Sequence, residues 1–146
     1  FRSEQDRQAL MQAVADGTVT AICSDHQPHE PEAKLTPFSE SEPGTSSLEV
    51  LLPLALASGR ESKIPLKELI ARLTIGPAEI LNLEVGKITV GSRADICIFD
   101  PNEQWVLEEN CINSAGKNSP FLGDTLTGKV KQVIAGGRLM MDESPA

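Results

Sequence analysis

The sequence has few of the residues that mark several protein classes. It contains no tyrosine, one tryptophan and four phenylalanines, and only two of its 146 residues are histidine. Lysine and arginine together number 13 against 21 aspartate and glutamate residues, which gives a formal net charge of −8. A nucleic-acid-binding domain usually carries a basic patch with aromatic residues interleaved. We therefore expect no nucleic-acid partner.

Cysteines and long apolar runs are also scarce. The three cysteines, Cys23, Cys97 and Cys111, are widely spaced and form no C-x-x-C pair. This spacing predicts reduced thiols in a cytoplasmic protein. No apolar run approaches the roughly 20 residues of a membrane span, and the charged N-terminal sequence does not read as a secretory signal. We expect a cytoplasmic protein with no membrane partner. The start at Phe1, without methionine, suggests a fragment of a longer chain.

The first part of the chain predicts a unit of a parallel sheet. Forty per cent of the residues are apolar, enough for one domain with a sizeable core. Ser3 is a predicted N-cap for a helix that Gly17 ends, and the β-branched run "TVTAICS" is typical of a strand buried on both faces. Residues 26–44 hold four prolines and predict a long loop, which in a compact domain is usually functional or disordered.

The remaining sequence predicts helices followed by a small β module. A helix capped by Ser46 or Ser47 and bent at Pro53 precedes two helical pieces broken at Gly76-Pro77. From residue 84 the pattern changes to short strands: two joined by a Gly-Ser turn in "GKITVGSRADICIFD", a third in "QWVLE", and a hairpin in "GKVKQVIAGGRLMM". The sequence thus divides into residues 1–83 and 84–146.

One stretch, "SDHQPH", collects an aspartate and both histidines. Asp25 ends the predicted strand, and the C-terminal ends of parallel strands are where α/β barrels place their chemistry. An aspartate there can bind a metal, accept a proton from water, or do both. His29 can donate a hydrogen bond to an anionic substrate. The same residues also suit a solvated loop after a strand, and two histidines without an H-x-H pair do not complete a zinc site.

Several segments together resemble the dihydroorotases, especially the long bacterial type in the amidohydrolase superfamily. "SDHQPH" followed by Lys34, Phe38, "EPG" and "SLE" is similar to that family's T-D-H-A-P-H, E-x-K, Phe, A-P-x-G and G-L-E. The similarity continues, in the family's order, through "LTIGPAEILNL", "GKITVGSRADICIFDP", "GKNSPFLGDTLTGKV" and "GKVKQVIAGGRLMM". Phe1-Arg2 resembles the end of the family's N-P-P-L-R stretch. The resemblance covers nearly the whole chain.

The resemblance implies a fold and an activity. The fold is α/β: residues 1–83 would form the C-terminal segment of a (β/α)8 amidohydrolase barrel, with its final strand, substrate loop and last helices. Residues 84–146 would form part of a small β-sandwich domain. The activity is the interconversion of N-carbamoyl-aspartate and dihydroorotate in pyrimidine biosynthesis, with one or two zinc ions held mostly by upstream residues. We expect a homo-oligomer, and we expect these 146 residues to be inactive alone.

The resemblance also implies roles for individual residues. Asp25 would be both a zinc ligand and the general acid and base, and His29 would contact the substrate carboxylate. His26 would be structural or would support a residue that contacts the metal or the substrate. The substrate loop would supply backbone contacts from Ser41, Glu42, Pro43 and Gly44. Lys34 we expect to be solvated.

The sequence departs from the family pattern at informative places. Gln27 replaces alanine, and Ser41-Glu42 replace A-P, which brings a carboxylate into a loop meant for an anionic substrate. Ser24 and Ser47 are milder changes. These departures resemble the noncatalytic dihydroorotase-like subunits that assemble with aspartate transcarbamoylase, which is the alternative function. An allantoinase or hydantoinase is a weaker alternative, because the terminal histidine, His29, favours a carboxylate-bearing substrate.

Overall fold

The structure is a computed structural model that describes residues 3–143. The resemblance at Phe1-Arg2 lies outside the described residues. The α-helices are α1 (Glu4–Ala15), α2 (Leu51–Glu61), α3 (Leu66–Ala71) and α4 (Ile75–Ile80). The strands are β1 (Ile96–Val106), β2 (Thr125–Ala135) and β3 (Arg138–Asp142), and 3₁₀ turns cover Pro31–Lys34 and Glu109–Cys111. None of the helices in residues 3–143 combines the length and apolar character that crossing a membrane requires.

The first helix begins and ends as predicted. The Ser3 hydroxyl accepts a hydrogen bond from the Asp6 backbone N–H, and the Asp6 carboxylate accepts one from the Ser3 N–H, both at 3.1 Å. This reciprocal pair is a capping box, which satisfies two of the free N–H groups at the helix start. Gly17, with φ at +88°, turns the chain away after the last helical turn.

The predicted strand at residues 18–24 is not a strand in this chain. The segment forms neither a helix nor a ladder, and its Ile22 N–H donates to the Arg72 carbonyl at 2.9 Å. A strand requires a hydrogen-bonding neighbour. No other strand in residues 3–143 pairs with this segment; the described chain offers only one isolated parallel bridge, between His26 and Thr45.

The predicted caps of the second helix are wrong. Helix α2 begins at Leu51, and Val50 at its N-cap makes no side-chain capping bond. Ser46 instead donates its hydroxyl to the Gly116 carbonyl at 2.9 Å, and Ser47 donates to the Ser24 carbonyl at 2.8 Å. Both serines therefore hold distant segments together.

The predicted helix break is displaced by a few residues. The chain turns at residues 72–74, and Gly76 and Pro77 lie in the first turn of α4, where the missing N–H of proline costs nothing. Gly76 permits a close approach, because a Cβ at this position would lie 1.9 Å from the Thr20 carbonyl oxygen. Helix α4 thus packs against the segment that leads to Asp25.

The C-terminal residues form one antiparallel sheet in the order β1-β2-β3. The predicted separate strand at "QWVLE" is the end of β1, whose register shifts between Asp100 and Gln104. The first predicted strand, near Ile88 and Val90, is not formed. The predicted β2–β3 hairpin is confirmed: Gly136 and Gly137 have φ of +56° and +78°, as a two-residue turn of the primed type requires.

Helix α2 joins two apolar clusters. In the first, Val50, Leu107, Ile112 and Leu126 are buried, with Trp105 packed against them. In the second, Ala55, Leu56 and Leu69 are buried, with Ile22 and Phe99 packed against them. Trp105 is partly buried, and its indole donates to the Gly128 carbonyl at 3.0 Å. The domain boundary between residues 83 and 84 stays a prediction.

Candidate active site

Asp25 lies at a sharp turn of the backbone. Its φ of +46° is in the left-handed region, which aspartate and asparagine occupy more readily than other non-glycine residues. Its side chain is exposed, and its Oδ1 accepts a hydrogen bond from Gln27 Nε2 at 3.1 Å. Among residues 3–143, no hydrogen-bond donor contacts Oδ2, so this oxygen is open as an acceptor. Unusual backbone angles of this kind cluster at functional sites, where the surroundings hold them.

His26 bonds the neighbouring backbone through its ring, and its predicted role stays a prediction. Its Nδ1 accepts a hydrogen bond from the Ser47 N–H at 3.0 Å, so a neutral ring carries its proton on Nε2. The neighbouring Gln27 N–H donates to the Thr45 carbonyl at 2.8 Å. The segment after Asp25 is therefore bonded along its length to residues 45–47.

The substrate loop predicted at residues 41–44 is held through three successive carbonyl groups. Lys34 Nζ donates to the Glu42 carbonyl and, at 2.9 Å, to the Gly44 carbonyl. His29 Nε2 lies 2.9 Å from the Pro43 carbonyl oxygen. The prediction that Lys34 is solvated is therefore wrong: its side chain is only partly exposed, because it satisfies backbone acceptors that the loop turns inward.

The loop's glycine is required by its contact with Gln27. Gly44 has φ of +105°, and a Cβ there would lie 2.4 Å from the Cβ of Gln27. Gln27 thus touches Gly44 on one side and bonds Asp25 on the other, which links the carboxylate to the loop. Ser41 donates its hydroxyl to the Ala33 carbonyl at 3.3 Å.

A distant residue, Asn118, bonds both sides of the site. Its Oδ1 accepts from the His29 N–H at 2.7 Å, and its Nδ2 donates to the carbonyls of Gln27 at 3.1 Å and Gly44 at 3.2 Å. Its own carbonyl accepts from the Ser46 N–H at 3.3 Å. The segment "GKNSPFLG", which contains Asn118, is therefore an ordered connection bonded to residues 27–46.

The structure therefore brings together His29 and residues 41–44, and connects Asp25 to them through Gln27. Sequence reasoning did not assign a site role to Gln27 or Asn118. Gln27 was visible as a departure from the family pattern. The three side-chain hydrogen bonds of Asn118, by contrast, join residues that are 74 to 91 positions apart in the chain. Separations of that size leave no local pattern.

The described residues do not supply enough ligands for a complete metal site. Residues 3–143 contain no group of three or more histidine, cysteine, aspartate or glutamate side chains placed to hold one ion. A carboxylate is a usual zinc ligand, and a zinc site takes three or four protein ligands. The open Oδ2 of Asp25 fits one such ligand position. The other ligands would have to come from outside this chain.

Cys97 is not an activated nucleophile. Cys23, Cys97 and Cys111 are free thiols in the structure. Desolvation raises the pKa of the Cys97 thiol above its ordinary value. A raised pKa keeps the thiol protonated at neutral pH, and the protonated form is the unreactive one.

Comparison with known proteins places this geometry in a family. The model of the amidohydrolase family matches residues 1–140, nearly the whole chain. The chain belongs to the amidohydrolase family. The predicted recognition and fold class, an α/β segment of amidohydrolase type, are confirmed.

Some relatives of this amidohydrolase are named dihydroorotase and others dihydroorotase-like protein. A "Dihydroorotase-like protein" of Pseudomonas aeruginosa is 45% identical over 139 residues, covering 95% of this chain and 33% of the relative. A "Dihydroorotase" of Clostridium acetobutylicum is 39% identical over 144 residues, covering 98% of this chain and 34% of the relative. The amidohydrolase chain thus spans about one third of the length of the curated relatives it matches.

Solved structures give the same architecture. The L-hydantoinase (dihydropyrimidinase) from Arthrobacter aurescens superposes with a TM-score of 0.87 at 25% identity, covering 98% of this amidohydrolase chain and 33% of that chain. The described α/β arrangement is therefore that of a hydrolase family whose members include hydantoinases.

Proposed function

We propose that the natural full-length protein is a dihydroorotase, a cyclic-amide hydrolase that interconverts N-carbamoyl-aspartate and dihydroorotate in pyrimidine biosynthesis. The observation that carries this proposal is the convergence of Asp25, His29 and residues 41–44 on one loop system in a chain whose relatives include dihydroorotases. We further propose a cytoplasmic homo-oligomer.

The residues of this chain would divide the chemistry as follows. Asp25 takes a proton from the attacking water and passes it to the ring amide nitrogen as the ring opens. His29 donates from Nε2 to the Pro43 carbonyl, and in the imidazolium form, in which both ring nitrogens are donors, Nδ1 donates to the substrate carboxylate. Zinc, held by Asp25 and ligands from outside this chain, would polarise the ring carbonyl. In the folded loop, residues 41–44 orient the carboxylate end of the substrate.

The extra carboxylate in the loop does not prevent this assignment. Glu42 is exposed, and its backbone N–H and carbonyl are both bonded within the loop, to Ala33 and Lys34. An exposed charge is screened by water and salt over about 8–10 Å. Its repulsion of an anionic substrate is therefore weaker than that of a buried carboxylate.

A second candidate is a noncatalytic dihydroorotase-like subunit that assembles with aspartate transcarbamoylase. Two observations favour it: the 45% identical relative carries the name "Dihydroorotase-like protein", and Gln27 bonds one oxygen of Asp25 at a position where the family has alanine. A bonded Oδ1 reduces the acceptors that Asp25 can offer to an ion or a water.

The two candidates predict opposite results in one assay. We expect the purified natural full-length protein, supplied with zinc, to convert dihydroorotate to N-carbamoyl-aspartate and to run the reverse reaction at acidic pH. Hydantoin and dihydrouracil, assayed in parallel, should react at least about tenfold more slowly, because they lack the carboxylate that His29 would bind. No turnover, together with co-purification of aspartate transcarbamoylase, would instead establish the noncatalytic subunit.

A further inference from the structure

We propose that Asn118 is a positioning residue that holds the two sides of the substrate loop in one geometry. The inference rests on the proposed function, because the loop's substrate is the one proposed above. It adds a residue from the β-module part of the sequence to a site otherwise built from residues 25–47.

The side-chain amide of Asn118 is matched to three backbone groups. Oδ1 faces the His29 N–H, and Nδ2 faces the carbonyls of Gln27 and Gly44. In the flipped orientation, Nδ2 would face the His29 N–H, a donor against a donor. Oδ1 would face the carbonyl oxygens of Gln27 and Gly44, an acceptor against two acceptors. The surrounding backbone thus specifies both the residue type and its orientation.

These bonds tie together segments that are separate in the chain. One segment carries Gln27 and His29, and the other carries Gly44 and Ser46, so Asn118 bridges the loop that runs between them. Its backbone carbonyl adds the bond from the Ser46 N–H at 3.3 Å. Fixing both ends through one partner lowers the number of conformations that the loop samples before it meets a ligand.

The neighbouring Gly116 shows how closely this segment sits against the loop. A Cβ at Gly116 would lie 2.5 Å from the His29 nitrogen and 2.6 Å from the His29 oxygen, both backbone atoms. The Gly116 carbonyl also accepts the Ser46 hydroxyl at 2.9 Å. Asn118 therefore approaches the loop on a segment that is itself anchored, so its amide acts as a fixed support.

Removing the amide should change substrate affinity more than turnover. Asn118 is absent from both apolar clusters, and Lys34 still holds the Gly44 carbonyl without it. In the natural full-length protein we expect Asn118→Leu to raise KM for dihydroorotate about tenfold, with kcat within about threefold of wild type. Asn118→Asp should also raise KM, since its carboxylate faces two carbonyl oxygens. Asn82→Asp, the same change at an exposed residue, is the matched control and should leave KM unchanged.

Amide hydrogen exchange distinguishes the loss of the Asn118 side-chain bonds from a general destabilisation of the fold. The His29 N–H bonds the Asn118 side chain, whereas the Ser46 N–H bonds its backbone carbonyl. In Asn118→Leu we expect exchange at His29 to quicken about tenfold while Ser46 stays at the wild-type rate. In Asn118→Asp, which keeps an acceptor for His29, both amides should stay protected.

Each result decides the inference. A KM within twofold of wild type in folded Asn118→Leu would overturn it, as would equal acceleration at His29 and Ser46 with a lowered melting temperature. If the wild-type protein neither binds nor converts dihydroorotate, the proposed function fails, and exchange at His29 alone then decides whether Asn118 positions the loop.

Discussion

Replacing Asp25 by asparagine in the natural full-length protein is expected to lower kcat for dihydroorotate about 10²- to 10⁴-fold. Asparagine has the same shape, tolerates the φ of +46°, and keeps an amide oxygen for the bond from Gln27. It cannot accept a proton at neutral pH and is a weaker metal ligand than a carboxylate. The loss would therefore report on the carboxylate itself. Steady-state kinetics at saturating substrate measure it.

The control for this substitution is Asp124→Asn. Asp124 is exposed, and the hydrogen bonds it makes to Leu107 and Phe121 use its backbone. We expect it to retain wild-type kcat and an unchanged melting temperature. A folded Asp25→Asn protein with kcat within twofold of wild type would show that the proton passes through another group.

Truncating Leu107 to alanine is expected to cost about 2–5 kcal/mol in the free energy of unfolding. Leu107 is 0% exposed and packs in the first apolar cluster with Val50, Ile112 and Leu126. Its N–H and carbonyl also bond the turn at Asp124 and Gly123, so neighbouring backbone is unable to collapse fully into the space left behind. Denaturant titration of the natural full-length protein would measure the loss.

Leu139→Ala provides the matched control for Leu107→Ala. Leu139 lies on β3, is 56% exposed, and loses the same atoms on truncation. We expect a change within about 0.5 kcal/mol, as for most surface substitutions. Equal losses from the two substitutions would contradict the placement of the core between α2 and the sheet.

Local patterns predicted the elements that depend on neighbouring residues. Ser3 and Asp6 form their capping box within one helical turn, and Gly136-Gly137 supply the two positive φ angles of the hairpin. The capping box and the hairpin turn each depend on residues no more than three positions apart, so a short stretch of sequence is enough to predict them.

Features that depend on distant partners were predicted poorly. Ser46 and Ser47 have the residue type of helix caps, yet their hydroxyls bond Gly116 and Ser24 across the fold. The run at residues 18–24 has the composition of a buried strand but no ladder partner among the described residues. Local propensity favours one secondary structure for a segment, but tertiary contacts determine whether that structure forms.

The candidate site was predicted in part for the same reason. The family resemblance named Asp25, His29 and residues 41–44, and their roles remain predictions. It did not foresee that Gln27 connects Asp25 to the loop or that Lys34 turns inward to the carbonyls of Glu42 and Gly44. Side-chain partners of backbone carbonyls are set by the loop's path, which no spacing in the sequence specifies.

The most direct test of the central claim is a crystal structure of the natural full-length protein with dihydroorotate bound. We expect the ligand carboxylate at His29 and the loop of residues 41–44, with the Asp25 carboxylate facing the reacting ring amide. Electron density for the ligand elsewhere, or an Asp25 side chain directed away from a ligand bound at this loop, would contradict it.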